Sequence, residues 1–270
     1  MEMKMKMTNL GHKIPSHLLQ PMWLRSRESL IDNGLIYDPI AAAACQHCHL
    51  SSECLSGDID QKQLLHATLT VQCDQQVAQF LKRHPSGWVV NVGAGLDTRF
   101  YRLDNGLCHW LELDINENLL WRQKLFHTNE RYYVRCGSAI EHAWIHDLPV
   151  PSNVPVMIVC EQALLECDEL QLAKFIQLLG RRFQHAEATI VIAADRCHTR
   201  MGKKLGCGDY QHGLYQPKLH FTGWLPWIDT ISIKSPFEHN CSRWKLWQRW
   251  LAKFPLFKHR VTPLLVHMNW

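Results

Sequence analysis

The sequence predicts an α/β fold, a doubly wound and mostly parallel sheet preceded by a helical cap. Three observations predict it. Short apolar runs alternate with helical patterns through the middle of the chain. The first of these runs feeds directly into a glycine turn, and an acidic residue closes the second run. The residues ahead of them carry helical signals and little strand character. The chain therefore divides into a cap segment at 1–75 and a sheet-bearing core at 76–270.

Within the cap, residues 25–35 and 39–48 read as helices. The Tyr37-Asp38-Pro39 turn separates them, because a residue preceding proline disfavours the helical conformation. Residues 61–83 read as one or two further helices, with Leu64, Leu65, Leu69, Val77, Phe80 and Leu81 at mixed three- and four-residue steps. Strand-like runs follow at 88–92, 109–113, 154–160 and 188–194. A helix at 168–183 places Leu172, Phe175, Ile176 and Leu179 on one face. Strands separated by helices of that length argue for a parallel sheet covered on both faces. Beyond Arg196, residues 201–216 read as a loop, 229–234 and 261–268 as strands, and 241–254 as a helix between them.

Composition excludes several classes of function. The 270 residues are 46% hydrophobic, enough for a substantial core. A formal net charge of +4 is too small a surplus for a nucleic-acid partner. No apolar run approaches the ~18 residues of a membrane-spanning helix, so no stable membrane insertion is expected. The first ten residues alternate Met with Lys and Glu and lack a secretory apolar stretch, which points to the cytoplasm. The eleven cysteines are then expected as free thiols. Cys45-Gln46-His47-Cys48-His49 has the spacing of a haem attachment site, which requires export. Zinc through Cys45, Cys48, His49 and Cys54 lacks a second Cys-x-x-Cys, and the 17 histidines show no ligand spacing; no metal is expected. The stretch 243–253, RWKLWQRWLAK, suits a membrane-surface helix or a helix docked on the sheet with snorkelling basic stems, and the docked reading is preferred.

The most informative stretch is 88–103, WVVNVGAGLDTRFYRL. An apolar strand runs into Gly93-Ala94-Gly95, where missing side chains permit a sharp turn and close approach of a ligand. The helix that follows aims amide donors at the same place. Nineteen residues after Gly95, Asp114 closes the second strand, where a carboxylate can accept both hydroxyls of a ribose. A dinucleotide fingerprint wants a third glycine, and that position is Thr98. The pair therefore reads as a nucleoside site without pyrophosphate packing.

The run GAGLDTRFYRL followed by WLELD resembles the leucine carboxyl methyltransferase family, whose bacterial branch includes polyketide O-methyltransferases of the tetracenomycin type. Two further blocks resemble it in the same order: Arg25 to Glu28 through Asp38-Pro39-Ile40-Ala41, and PVMIVCEQALL at 155–165. The resemblance implies a Rossmann-like class I methyltransferase that uses S-adenosylmethionine and releases S-adenosylhomocysteine. It implies that Gly93, Ala94 and Gly95 pack against the methionine part, with Asp97 and Arg99 as polar loop groups. Asp114 would hold the ribose, with Ile115 beside it also in the cofactor site, Ser138 and Ala139 would meet the adenine, Arg25 the carboxylate, and Glu161 would stand at the fourth strand's end. The chain departs from the family at three places. The helix before the first strand lacks the usual arginine, Ser138-Ala139 replaces an Asp-Leu pair, and Glu166 replaces an aromatic residue.

The implied reaction is O-methylation of a carboxylate or phenolic hydroxyl on a small molecule, such as a polyketide-like secondary metabolite. A protein's C-terminal carboxylate as acceptor, or an inactive cofactor-binding homologue, are the alternatives. A carboxylic acid with pKa near ~4 needs no base, whereas a phenol near ~10 does. Glu166 is the one base candidate that position suggests; a solvent-facing carboxylate at a helix N-terminus is the competing reading.

Overall fold

The two central strands are buried throughout, and apolar at every position but Asn91, because both of their faces are covered. Every residue of β1 (Trp88–Val92) and β4 (Val156–Cys160) is buried. Side chains alternate between two cores, with Val90, Val92, Ile158 and Cys160 on one face and Val89, Met157 and Val159 on the other. The computed structural model describes residues 14–47, 57–141, 143–239 and 242–270. Its other strands are β2 (His109–Asp114), β3 (Tyr132–Cys136), β5 (Ala186–Ile192), β6 (Thr230–Lys234) and β7 (Leu264–Asn269), and the sheet order is β3-β2-β1-β4-β5-β7-β6. Strands β1 to β5 pair in parallel, and β7 runs antiparallel between β5 and β6. The predicted doubly wound sheet is thus present. β3 has no counterpart in the sequence reading: it is an edge strand whose burial falls away from Tyr132 to an exposed Cys136, so no apolar run marks it.

Three helices precede the sheet: α1 (Ser16–Ser29), α2 (Pro39–His47) and α3 (Ile59–Arg83). The helix expected at 25–35 instead starts at Ser16 and stops at Ser29. A turn at Gly34 ends it: a Cβ there would lie 2.1 Å from the Glu28 carbonyl oxygen, and the Glu28 carboxylate accepts the Leu35 amide at 2.7 Å. Residues 59–83 form a single helix, capped by Asp58 on the Gln61 amide at 3.0 Å. The expected division near residue 75 falls inside this helix, whose later turns carry Val77 and Phe80 into the core.

Helices α4 (Arg99–Leu103), α5 (Asn116–Leu125) and α6 (Glu169–Arg182) connect the strands. In α6 the capping box of Asp168 and Gln171 sets the start, and Leu172, Phe175, Ile176 and Leu179 are all buried, as their spacing predicts. The expected loop at 201–216 holds the end of α7 (Arg200–Lys204) and otherwise runs irregularly to α8 (Pro217–Trp224). The helix expected at 241–254 shrinks to α9 (Leu246–Leu251), followed by α10 (Pro255–Lys258); Cys241 lies outside the described residues. Docking through a tryptophan face is corrected as well. Trp244 is buried ahead of the helix, but Trp247 and Trp250 are exposed. α9 is held instead by Gln248, whose amide donates to Gln61 at 2.7 Å.

Cys48, His49 and Cys54 also lie outside the described residues. Among the described residues no cluster of metal-ligating side chains occurs, and no helix is long and apolar enough to cross a membrane.

Candidate active site

Strand order reverses between β1 and β4, so their carboxyl ends open a crevice of the kind that binds ligands in doubly wound sheets. Gly93 turns the chain out of β1 with φ +67°, and a Cβ there would lie 2.1 Å from the Ala163 Cβ in the 3-10 turn Ala163–Glu166 after β4. The Gly93 amide donates to the Leu113 carbonyl at 2.8 Å, tying the turn to β2. Gly95, φ +47°, donates its amide to Asp114 Oδ2, whose other oxygen accepts Ile115 N at 2.7 Å and Asn118 Nδ2 at 2.9 Å. Arg122 of α5 grips the Gly95 carbonyl at 3.0 Å. The turn is thus clamped from both sides.

A buried ionic network lies beneath it. Arg99 is fully buried and donates to Asp74 at 2.6 Å, to Asp97 and to Glu161. Arg102 bonds Asp74 at 2.9 Å and Asp38 at 2.8 Å. Asp38 caps α2 through the Ala41 amide at 2.9 Å and also receives Thr98 Oγ1 and Arg25 Nε, the latter at 3.3 Å. The Asp-Pro turn of the cap and the loop after β1 are therefore joined by one cluster of charges. Burial alone would raise the Asp97 carboxyl, but the Arg99, Arg25 and Arg102 guanidiniums outweigh it and hold Asp97 well below the usual carboxylate range. Glu161 follows the same balance: burial opposes ionisation, and Arg99 and then His66 overcome it.

A cavity of about 360 Å³ opens above this cluster, within the ~300–1,000 Å³ usual for small-molecule sites. Of the residues singled out from sequence, Arg25, Gly93, Ala94, Gly95, Asp97, Asp114, Glu161 and Glu166 line it. Arg25 is 4% exposed and also donates to the Leu96 carbonyl at 2.8 Å. Arg99 does not line the cavity; it positions two residues that do, Asp97 and Glu161. Ile115 is 40% exposed outside it. Ser138 and Ala139 follow β3 and do not line it either; Ser138 Oγ accepts the Ile140 amide at 3.2 Å. Glu166 stands exposed at the rim, before α6, on a 3-10 turn too short to present the helix N-terminus considered from sequence.

The structure adds residues that sequence spacing did not indicate. Lys62, Leu65 and His66 enter from α3, Gln162 from the end of β4, and Gly208 to Tyr210 from the loop after α7. The run of buried polar side chains in α3 is the one signal that marked its inner face as something other than ordinary core: Gln63, His66, Thr68, Thr70 and Gln72 are all buried.

Glu112 of β2 sits behind the turn, fully buried between Asn91 at 2.8 Å and Arg122 at 2.7 Å. Burial pushes its carboxyl up to about 7, against the pull of Arg122. The unfolded chain releases this proton near the ordinary carboxylate pKa, and the folded chain holds it until about 7. Between those values the folded state binds more protons, so stability falls as pH rises and levels off above them. Urea unfolding at pH 5 and pH 8 is expected to show this loss in the parent and a smaller one in Glu112→Gln.

Comparisons with known proteins agree with this architecture. The sequence model for the leucine carboxyl methyltransferase family matches residues 19–194. A curated relative, the tetracenomycin polyketide synthesis O-methyltransferase TcmP of Streptomyces glaucescens, is 28% identical over 89 residues. That stretch covers 33% of this chain and 32% of the relative, so the match spans about a third of the relative's length. A DUF574 family protein from Streptomyces avermitilis MA-4680 superposes with a TM-score of 0.58 at 10% identity, covering 77% of this chain and 84% of its own. The small RNA methyltransferase HEN1 gives 0.51 at 11% identity, over 74% of this chain and 25% of its own. These two likenesses show the fold alone. The family match runs from within α1 through β5 and takes in the Asp-Pro turn, the glycine turn and Glu161, and on that ground the chain belongs to the leucine carboxyl methyltransferase family, enzymes that take their methyl group from S-adenosylmethionine.

Proposed function

We propose that the chain is an O-methyltransferase acting on a carboxylate or hydroxyl of a small molecule. One observation carries this reading. A single cavity is bounded on the β2 side by the glycine turn with Asp114, and on the β4 side by Lys62, His66, Gln162 and Glu166. It offers a nucleoside wall and an acceptor wall that meet over Gly93. The O-methyltransferase named among the relatives supports oxygen as the acceptor atom.

The donor set fits S-adenosylmethionine. Gly93 and Gly95 line the cavity with bare backbone, packed so closely on Ala163 and Leu18 that a Cβ at either would crowd them, and Asp114 Oδ2 accepts a single hydrogen bond, leaving capacity for a ribose hydroxyl. Arg25 would hold the carboxylate, a match for its planar fork. When bound, the cofactor supplies a methyl group on a positively charged sulfur. Arg99 already neutralises Asp97 and Glu161, and Lys203 pairs with Asp209, which leaves Asp114 and Glu166 as lining carboxylates without an ion-pair partner among the described residues to face a cationic donor. The chain's remaining task is alignment of the acceptor oxygen, which can supply about 7–11 kcal/mol of the barrier.

Isothermal titration with S-adenosylmethionine tests the reading, followed by transfer of a labelled methyl group to small acids and phenols. Asp114→Asn is expected to weaken cofactor binding by roughly 10–100-fold, since a hydrogen bond to a charged group is worth about 1.5–3 kcal/mol. An intact parent protein that takes up no cofactor at millimolar concentration overturns the assignment.

A further inference from the structure

Trp247 and Trp250, expected against the sheet, face solvent, and they do not stand alone. Leu246 is 82% exposed and Leu256 74%, and Phe254 is exposed as well. A single exposed leucine is ordinary, but five large apolar side chains exposed within eleven residues make a patch. Trp250 and Phe254 meet edge to face with ring centroids 5.1 Å apart. An open groove of about 400 Å³ beside them is lined by Phe237, Trp244, Leu246 and Trp250 together with Arg249 and Lys253. The segment is fixed from behind: Trp244 is buried against Leu64 and Phe237, and Gln248 is buried and donates to Gln61 at 2.7 Å. With that side held on α3, the opposite side is presented outward.

Charge sets this patch apart from ordinary apolar surface. Residues 239–270 contain six lysines and arginines and no acidic residue, against a formal surplus of +4 for the whole chain, so the rest of the chain is slightly acidic. Arg243, Lys258 and Arg260 are paired with Glu28, Glu238 and Asp195. Arg249 and Lys253 are exposed and have no ion-pair partner among the described residues. Indole and leucine side chains enter the headgroup boundary of a bilayer, and lysine and arginine beside them meet its anionic lipids. No described helix is long and apolar enough to cross a membrane, so such contact is made at the surface. We propose that residues 245–256 form a peripheral docking surface for an anionic lipid bilayer, with Leu246, Trp250 and Leu256 entering the headgroup boundary and Arg249 and Lys253 facing anionic lipid. A second copy of the chain fits less well, because a two-fold contact sets these unpaired cations against their own copies. Single-stranded nucleic acid would use the rings and the cations, but the two most exposed side chains are leucines, which offer no face for a base to stack on.

Cosedimentation of the full chain with vesicles tests this, using phosphatidylcholine alone or with one-third phosphatidylserine. Docking needs no cofactor, so its outcome is separate from that of the methyltransferase assignment. The parent is expected to bind the anionic vesicles, and raising the salt from about 0.1 M to about 1 M is expected to weaken binding by about tenfold as the screening length falls. Arg249→Glu/Lys253→Glu is expected to weaken it by about 30-fold, roughly fivefold for each cation lost. Leu246→Ser/Trp250→Ser is expected to weaken it by at least about tenfold through lost apolar burial. All four positions are exposed, and circular dichroism checks that each variant is folded. With lipid brominated in the upper acyl chain, tryptophan emission is expected to be quenched more in the parent than in Trp250→Phe. Four results overturn the proposal: a folded parent that ignores anionic vesicles, equal binding to neutral ones, binding that both double variants retain, or a patch-dependent dimer or oligonucleotide complex in place of vesicle binding.

Discussion

Replacing Arg99 with methionine is expected to cost about 3–5 kcal/mol of stability, the usual consequence of stripping one partner from a buried ion pair. The guanidinium is fully buried and donates to Asp74, Asp97 and Glu161 at once, so its loss leaves three carboxylates in a low-dielectric interior with reduced compensation. Against a whole-domain stability of about 5–15 kcal/mol, that loss lowers the urea midpoint severely. Arg99→Lys is expected to rescue little, because an ammonium cannot reproduce a planar fork directed at three acceptors. The double variant Arg99→Met/Glu161→Gln should lose less than the sum of its single changes, since neutralising Glu161 removes part of the uncompensated charge. Equal stability of Arg99→Met and the parent contradicts the role assigned to the network. The defect should extend to cofactor binding, because Asp97 and Glu161 both line the cavity.

Gly93→Ala is expected to weaken S-adenosylmethionine binding by more than tenfold and to lower stability as well. Two independent costs combine there. A left-handed backbone costs an L residue about 1–2 kcal/mol, and Gly93 has φ +67°. A Cβ would also lie 2.1 Å from the Ala163 Cβ, far inside contact distance, so the turn after β1 or the 3-10 turn after β4 must move. Overpacking of this kind costs about 1–3 kcal/mol. Ala163→Gly introduced with Gly93→Ala relieves the clash but not the backbone strain, so partial recovery is expected, measured by urea unfolding and calorimetry on all four members of the cycle. Full recovery places the whole effect in the Ala163 contact and none in the backbone.

These two positions also differ in how they could be known. Gly93 and Asp114 are legible in the sequence because an apolar strand, a glycine turn and an acidic residue nineteen positions on are a local pattern with a local cause. The same holds for the four strands covered on both faces and for α6, whose apolar spacing and capping box agree. Arg99 is conspicuous in the same run, where the family resemblance implies a polar loop group at the cofactor. The fold turns it inward, because Asp74 from α3 and Glu161 from β4 converge on it from segments 25 and 62 residues away. His66 carried no signal of its own. A histidine inside a helix becomes distinctive only in the fold, where Gln162 and Glu161 lie against one ring nitrogen and the other has no hydrogen-bond partner among the described residues.

Side-chain size, backbone freedom and short-range periodicity set the alternation of strand and helix, the turn after the first strand and the acidic tip of the second. Folding alone joins Asp38, Arg102, Asp74, Arg99 and Glu161 into one buried cluster, and it assembles one wall of the cavity from α3, the end of β4 and the loop after α7. Electrostatic energy in a dry interior depends on distances between groups far apart in the chain, and no spacing along a sequence encodes those distances.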